Sequence, residues 1–208
     1  MALADLGFIF WEDSGLTIAF SGQYTLLRKT DLSDNPQDKV LYFGSASSTG
    51  SRQLLASSNP GVDQITLTPT GTIAEWAVAT AYSLGDRVEP VTPNTYVYEV
   101  TTAGTSHATT EPTWPTTPLG STVTDGTVTW TLRAKKHPTS EIKLALSSGG
   151  LTSAIAGAAL DIGTQILSGT SNAVPVYLRF TNSVDTVSDD TADPELGIYI
   201  NAVSETSV

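Results

Sequence analysis

Hydrophobic and polar residues alternate with a period of two in several short segments of the chain. The alternation is clearest at residues 63–68 (DQITLT), which puts Ile65 and Leu67 on one face, and at residues 141–146 (EIKLAL), where Leu146 shares the apolar face. This period is typical of strands that bury one side against a core. The segment at 141–146 is interpreted as the strand that resumes a domain interrupted after residue 68.

Other segments also have strand-like composition, with short apolar runs between polar turns. They lie at residues 6–11, 16–20, 23–29, 40–44, 95–101, 126–133, 164–168, 174–180 and 196–203. Pro175 predicts an edge or strand-start position, because proline cannot donate to a sheet hydrogen bond. The alanine-containing residues 150–163 predict at most a short helical turn, which Gly157 interrupts. The fold class is therefore predicted to be all-β.

One stretch, residues 75–132, differs from the rest in its aromatic content. It holds three of the four tryptophans and three of the seven tyrosines: Trp76, Trp114, Trp130, Tyr82, Tyr96 and Tyr98. Turn signals at residues 84–86, 92–94 and 125–126 divide it into short strands. Asp125-Gly126 followed by TVTWTL predicts a hairpin that leads into a final strand.

The sequence around this stretch predicts an insertion. Pro69-Thr70-Gly71 marks one boundary, and residues 134–140 (AKKHPTS) mark the other. We predict a β-sandwich-like outer domain formed by residues 1–71 and 134–208, with a small β-rich module, residues 72–133, inserted in one loop. Insertions are tolerated at exposed loops whose ends lie close together.

Composition and charge exclude some classes of partner. The net charge is −11 and the sequence pI is about 4.3, which argues against a nucleic-acid partner, because binding to phosphates requires basic patches. The chain has no cysteine, so disulfides and thiolate metal sites are impossible. No apolar run has the length of a membrane span, and residues 1–15 do not resemble a secretory signal.

Candidate catalytic and metal-binding groups are sparse. His107 lies in a Gly/Ser/Thr loop and His137 precedes a proline, and both are interpreted as solvent-exposed loop residues. Most acidic residues lie in turns, where aspartate commonly serves turn geometry. The group formed by Asp185, Asp189, Asp190 and Asp193 leaves open a calcium site, although its spacing is not that of an EF-hand. We predict no catalytic residue, no metal site and no cofactor.

The aromatic residues are the strongest candidates for a binding surface. Flat tryptophan and tyrosine rings can stack on the apolar faces of sugars, while their polar tips make hydrogen bonds. Trp76 and Trp130 are predicted to form the core of the module, since a unit of this size without disulfides needs large side chains. Trp114 lies between prolines, and both a core role and a contact role remain open for it. Trp114, Tyr98 and Tyr96 are the candidate glycan contacts.

The order of these residues resembles two kinds of known module. The elements of the pattern are Trp76, Tyr82, Gly85-Asp86, Val88, Tyr96, Tyr98, residues 101–106 (TTAGTS), Glu111-Pro112, Trp114-Pro115 and residues 125–130 (DGTVTW). The whole pattern resembles a small module recurrent in structural proteins of tailed bacteriophages. Its first half also resembles the chitin-binding-like carbohydrate modules of families 5 and 12, but Glu99-Val100 stands where those modules have paired aromatics.

The resemblance implies a non-enzymatic component of a tailed-phage virion: a head decoration protein, a fibre-base protein or a tail or baseplate subunit. It further implies location in the virion, other virion proteins as partners in a symmetric assembly, and display of the module outwards. Apolar strands at residues 6–11 and the edge near Pro175 are predicted to supply contacts between copies. The alternative is an adhesin module that attaches to host-surface polysaccharide. A glycan-degrading enzyme is a third hypothesis, and no acid pair at catalytic spacing supports it.

Overall fold

A computed structural model describes residues 7–24, 35–183 and 195–208 of the protein. The described residues form strands β1 to β17, and their helical segments are 3₁₀ turns at Thr139–Glu141, Gly149–Thr152 and Thr170–Asn172. The prediction of an all-β fold is confirmed. None of the described residues forms a helix with the length and apolar character needed to span a bilayer.

The chain divides into two compact units. The outer unit consists of Met1–Thr70, Thr139–Asn182 and Gly197–Val208, and the module consists of Gly71–Pro138 and Ser183–Leu196. The sequence placed the second boundary at residue 133 and left all of residues 134–208 in the outer domain. In the module, the backbone N–H of His137 donates to the Glu195 carboxylate at 3.0 Å, and that of Thr72 donates to the Glu195 carbonyl at 2.9 Å. These bonds attach Glu195 to the module.

The outer unit is built on three antiparallel sheets. The first has the order β1 (Ile9–Trp11), β2 (Gln37–Gly44), β15 (Val174–Phe180) and β12 (Ile142–Ala145). The second has the order β13 (Leu160–Gly163), β4 (Ile65–Gly71) and β16 (Leu196–Ile200). The third has the order β14 (Gln165–Leu167), β3 (Arg52–Ala56) and β17 (Val203–Ser207).

The alternating positions of these strands supply the core of the outer unit. Ile65 and Leu67 on β4 are completely buried, as the period of two predicted, and Leu41 and Phe43 on β2 follow the same rule. Leu146 is an exception: it lies one residue beyond β12 and 46% of its surface is exposed. The alternation therefore identified the strand correctly but extended it past its end.

Pro175 lies at the start of a strand rather than at the edge of a sheet. β15 is flanked by β2 and β12, but the register with β12 runs only from Tyr177 to Phe180. At Pro175 the strand therefore has a neighbour only on the β2 side, where it faces Tyr42. The missing N–H of proline is tolerated in that position. This confirms the strand-start interpretation, and the contacts between copies predicted near Pro175 stay a prediction.

The outer edge of β1 is covered by the chain itself. Trp11 forms a bridge with Ala19, the N–H of Phe20 donates to the Phe10 carbonyl at 3.0 Å, and the Asp13 carboxylate accepts the N–H of Ile18 at 2.8 Å. The polar turn between the two apolar runs is thus a hairpin, as predicted. Residues 18–20 thus occupy the outer edge of β1, and the contacts between copies predicted for residues 6–11 stay a prediction.

Two features of the outer unit were not predicted. β3 and β17 pair with one another along their length, and neither was recognised. Pro69 lies inside β4 instead of marking a loop, so the chain passes from the outer unit into the module within a strand. The predicted strand at residues 23–29 lies largely outside the described residues.

The module contains one five-stranded sheet and one small ribbon. The sheet has the order β10 (Thr122–Asp125), β11 (Val128–Lys135), β8 (Tyr96–Thr102), β7 (Arg87–Glu89) and β5 (Ala74–Glu75). The ribbon pairs β6 (Ala81–Tyr82) with β9 (Gly104–Thr105). β10 and β11 form the hairpin predicted at Asp125-Gly126, with Asp125 facing Val128. Two irregularities in the pairing of β11 with β8 bend this part of the sheet.

Candidate functional site

The aromatic residues of the module pack on one face of its sheet. The buried members of this cluster are Trp76, Val88, Tyr98, Val100, Val128, Trp130 and Leu132, and the partly buried members are Tyr82, Tyr96, Trp114 and Val123. Trp130 is completely buried and Trp76 is 5% exposed, so the prediction that both form the core is confirmed. The Tyr82 ring meets the Trp130 ring edge-on at 4.8 Å between centroids.

A buried carboxylate holds the two core tryptophans together. Asp125 is 3% exposed, and its Oδ2 accepts the indole N–H of Trp76 at 2.8 Å and that of Trp130 at 3.2 Å. Its Oδ1 accepts the backbone N–H of His107 at 2.8 Å. Buried tryptophan N–H groups need an acceptor, and one carboxylate supplies it for both. Asp125 was predicted only as a turn residue, and its role in the core was missed.

Two glycines allow the loops around this carboxylate to touch. A Cβ at Gly104 would lie 2.4 Å from the Thr127 carbonyl oxygen, and a Cβ at Gly126, whose φ is +62°, would lie 2.3 Å from the Thr105 carbonyl oxygen. Both distances are far below a normal carbon–oxygen contact, so a side chain is excluded at either position. The glycines of the TTAGTS and DGTVTW segments are therefore explained by close approach of backbone to backbone.

The loop at residues 111–115 places Trp114 against this core. The Glu111 carboxylate accepts the indole N–H of Trp114 and the backbone N–H of Val91, each at 2.8 Å. The Trp114 ring lies 4.3 Å from the Tyr98 ring and 5.7 Å from the Trp130 ring, measured between centroids. Trp114 is half-buried, so it has a core role on one side and leaves part of its surface to solvent.

Tyr98 is part of the core and presents no surface to a ligand. Its side chain is completely buried, and its hydroxyl donates to the Pro115 carbonyl at 2.7 Å while it accepts from the Asn94 amide at 2.8 Å. The pKa of Tyr98 is raised above its ordinary value, chiefly because the hydroxyl is buried; the Asn94 bond lowers the pKa and the nearby Tyr96 raises it. The expectation of a glycan contact at Tyr98 is thus corrected: the residue supports Trp114 from beneath.

Tyr96 lies beside this stack and is half-buried. Its backbone N–H donates to the Asn94 side chain at 3.1 Å. The preceding residue, Thr95, has a φ of +69°, which is unusual for a β-branched residue and indicates a turn held by its surroundings. The candidate contact surface in this structure therefore consists of the open parts of Trp114 and Tyr96, which both pack against the aromatic cluster.

The opposite face of the sheet carries ion pairs instead of aromatic rings. The Glu99 carboxylate lies 2.9 Å from the Arg87 guanidinium and 3.3 Å from that of Arg133, and the Thr101 and Thr131 hydroxyls are 2.8 Å apart. These side chains form ion pairs and hydrogen bonds with one another across neighbouring strands. The Glu99 that departs from the chitin-binding pattern thus serves a cross-strand ion-pair network.

The two histidines of the module differ in exposure. His107 is exposed, as predicted, and its Nδ1 accepts the backbone N–H groups of Thr110 at 3.1 Å and Thr109 at 3.3 Å. His137 is half-buried, which differs from the exposed position predicted for it. Asp185, Asp189, Asp190 and Asp193 lie outside the described residues, and within the described ranges no group of three or more histidine and acidic residues is placed to hold a metal.

A scan against protein-family models and searches of curated proteins and of solved structures found no match to this chain. The site is therefore interpreted from its own geometry. That geometry shows what most of the recurring pattern does: Trp76, Tyr98, Gly104 and Trp130 build or permit the core. Two signals in the sequence pointed to the same conclusion, namely the high aromatic content of a short unit and the Asp-Gly turn before a tryptophan-bearing strand.

Proposed function

We propose that this protein is a non-enzymatic structural component of a tailed-phage virion, as a head decoration protein, a fibre-base protein or a tail or baseplate subunit. The observation that carries the proposal is the ordered aromatic pattern from Trp76 to Trp130, which resembles a module recurrent in such proteins. Its motif positions have framework roles, such as the acceptor for two indoles at Asp125 and the backbone contact at Gly104. Because these residues maintain the fold of the module, the pattern supports the type of module and does not identify a ligand.

The arrangement of the chain also supports this role. The outer unit consists of three segments of the chain, and the two segments of the module lie between them in sequence. A separate compact unit of this kind can be displayed by one part of a protein while another part makes the contacts of an assembly. In this proposal the outer unit binds other virion proteins and the module points outwards from the particle.

Mass spectrometry of purified particles tests the proposal. Particles released from the cells that produce this chain should contain its peptides in a fixed ratio to a major virion protein, through density-gradient purification and a high-salt wash. Cryo-electron microscopy of the same particles should then place the module at a repeated position of the lattice. Particles without this polypeptide, or with amounts that fall at each purification step, would refute the role.

A glycan-binding adhesin is the second candidate, and the half-buried Trp114 and Tyr96 favour it. Both rings can offer a flat surface at low entropic cost. The Tyr96→Ala variant should lose retention on an array of bacterial surface polysaccharides while it keeps the thermal unfolding of the original protein. Ile155→Ala is the control, since Ile155 is an exposed residue of the outer unit. An array on which the original protein binds nothing would refute the adhesin role and leave the structural role intact.

A further inference from the structure

The strand β16 (Leu196–Ile200) differs from the other strands at sheet edges. It ends the sheet β13–β4–β16, and in the part of the chain that the structure describes no strand pairs with its outer side. Its sequence, LGIYI, has no charge and no proline, and Tyr199 is 58% exposed. An open apolar edge is a template for pairing with another strand, and proteins usually protect such edges.

The other edges in the described residues are protected in recognisable ways. β1 is covered by residues 18–20. β12 carries Lys143, β13 carries Asp161 together with a shift in register, and β17 is polar. β10 alternates threonine with Val123, and β5, β6, β9 and β14 have two or three residues each. Charge, irregularity, cover and shortness are the usual devices against edge pairing. β16 carries no charged residue, is five residues long, and is not covered by any strand among the described residues.

The backbone direction of β16 is set by hydrogen bonds at its two ends. The Glu195 carbonyl accepts the N–H of Thr72, and the N–H of Asn201 donates to the Thr66 carbonyl on β4 at 3.1 Å. Odd-numbered residues of the strand therefore direct their backbone groups towards β4. In a regular strand the even-numbered residues, Leu196, Ile198 and Ile200, then direct theirs towards the open edge.

We propose that β16 is a dimerisation strand that pairs antiparallel with β16 of a second copy of this chain, about a two-fold axis at Ile198. In this register Ile198 exchanges hydrogen bonds with its own symmetry mate, and Leu196 does so with the partner's Ile200. Each of these residues has a backbone N–H and a carbonyl that face outwards, so the pairing gives every such group on the edge a hydrogen-bond partner. The two sheets join into one continuous sheet.

The side chains of the strand match this register. Gly197 lies opposite the partner's Tyr199 in a pair without backbone hydrogen bonds, where side chains approach each other most closely. A tyrosine ring covers the gap that a glycine leaves on an edge strand, and this contact would bury a ring that is now 58% exposed. The chain has a net charge of −11, yet no charged side chain of one β16 faces the other. The occupant that best fits this edge is therefore its own copy.

Sedimentation velocity over a range of concentrations tests the proposal with matched variants. The original protein should form a dimer. Ile198→Lys places two like charges on the two-fold axis and should weaken the dimer by at least about tenfold. Ile155→Lys is the control, because Ile155 is 76% exposed in the same unit, and it should dimerise like the original protein. Tyr199→Ser should give an intermediate weakening, through loss of the contact with Gly197.

Single-cysteine variants test the register without relying on the stability of Ile198→Lys. The chain has no cysteine, so Ile198→Cys introduces one thiol. Opposed residues in such a pair have Cα atoms about 5.5 Å apart, a separation that allows a disulfide. Mild oxidation should link Ile198→Cys into a covalent dimer and leave Ile155→Cys monomeric. An original protein that stays monomeric, or equal linking of both variants, would overturn the proposal. This result does not depend on the virion role, which is tested separately by the content of purified particles.

Discussion

The outer unit and the module form their hydrophobic cores from different side chains. The core of the outer unit is dominated by aliphatic residues such as Leu41, Ile65 and Leu178, placed by the alternation of long strands. In the core of the module, two tryptophans and a tyrosine pack with four aliphatic residues, and the Asp125 carboxylate accepts both indole N–H groups. Aliphatic packing tolerates change if volume is kept, whereas a polar centre fails when one partner is removed. The module should therefore be more sensitive to single substitutions.

The largest expected effect comes from Asp125→Leu. The variant leaves the indole N–H groups of Trp76 and Trp130 and the backbone N–H of His107 buried without an acceptor, at a cost of about 3–5 kcal/mol. Hydrogen–deuterium exchange should show faster exchange throughout the module and unchanged exchange in the outer unit. Asp125→Asn keeps an acceptor oxygen and should lose less stability than Asp125→Leu. Normal protection of the module in Asp125→Leu would contradict the central role of this carboxylate.

The counterpart in the outer unit is Leu67→Ala. Leu67 is completely buried on β4, so removal of its side chain creates a cavity that costs about 2–5 kcal/mol. The same exchange measurement should now show faster exchange in the outer unit. Leu67→Met, which keeps the volume, serves as the control and should cost less than about 1.5 kcal/mol. If both Leu67 variants lost the same stability, volume would not be what this position requires.

Gly104→Ala and Gly149→Ala give the next contrast. A Cβ at Gly104 meets the Thr127 carbonyl at 2.4 Å, so we expect a loss of about 1–3 kcal/mol from the displacement of backbone. At Gly149, in the outer unit, no atom lies within 4 Å of the added Cβ, and the change should be nearly neutral. Urea unfolding followed by far-ultraviolet circular dichroism compares the two. Equal midpoints would show that the loops around Asp125 can move apart freely.

The smallest effect concerns the ion pair of Asp38 with Arg179, where two N–H···O bonds of 2.7 Å join the side chains on the surface of the outer unit. The Arg179 guanidinium holds the pKa of Asp38 below its ordinary value of 3.8. Because the folded pKa is lowered, the pair stabilises the protein fully above the unfolded pKa and loses this contribution as the pH falls through the folded pKa. Asp38→Asn should thus lower the unfolding midpoint slightly at pH 7, and the difference from the original protein should shrink as the pH falls below 3.8. A difference that stays the same as the pH falls would show that the charge of Asp38 is not involved.

The sequence predicted where the strands lie better than it predicted which strands pair with each other. Alternation located β4, a short apolar run located the buried part of β2, and Asp125-Gly126 located the β10–β11 hairpin, because these signals are local. β3 (RQLLA) and β17 (VSETS) were missed, since one is a brief apolar run and the other is polar, and their structure depends on pairing with each other across the chain.

The candidate site shows the same limit. Aromatic content predicted the core roles of Trp76 and Trp130, but Tyr98 was placed on the surface because adjacent aromatics on one strand give no information about which ring is covered. The cover comes from Trp114 and the Pro115 carbonyl, which a separate loop brings over Tyr98. The role of Asp125 was invisible for a related reason: its two indole partners lie 49 and 5 positions away in the sequence.

The uneven distribution of tryptophan has a practical consequence. Three of the four tryptophans belong to the module, and two of them donate to one carboxylate. Intrinsic fluorescence will therefore report mainly on the module, whereas circular dichroism of the amide bonds reports on both units. A denaturation experiment followed by both signals contains its own internal comparison. Coincident curves would show that the units unfold as one cooperative body, and separate curves would show how far the stability of one depends on the other.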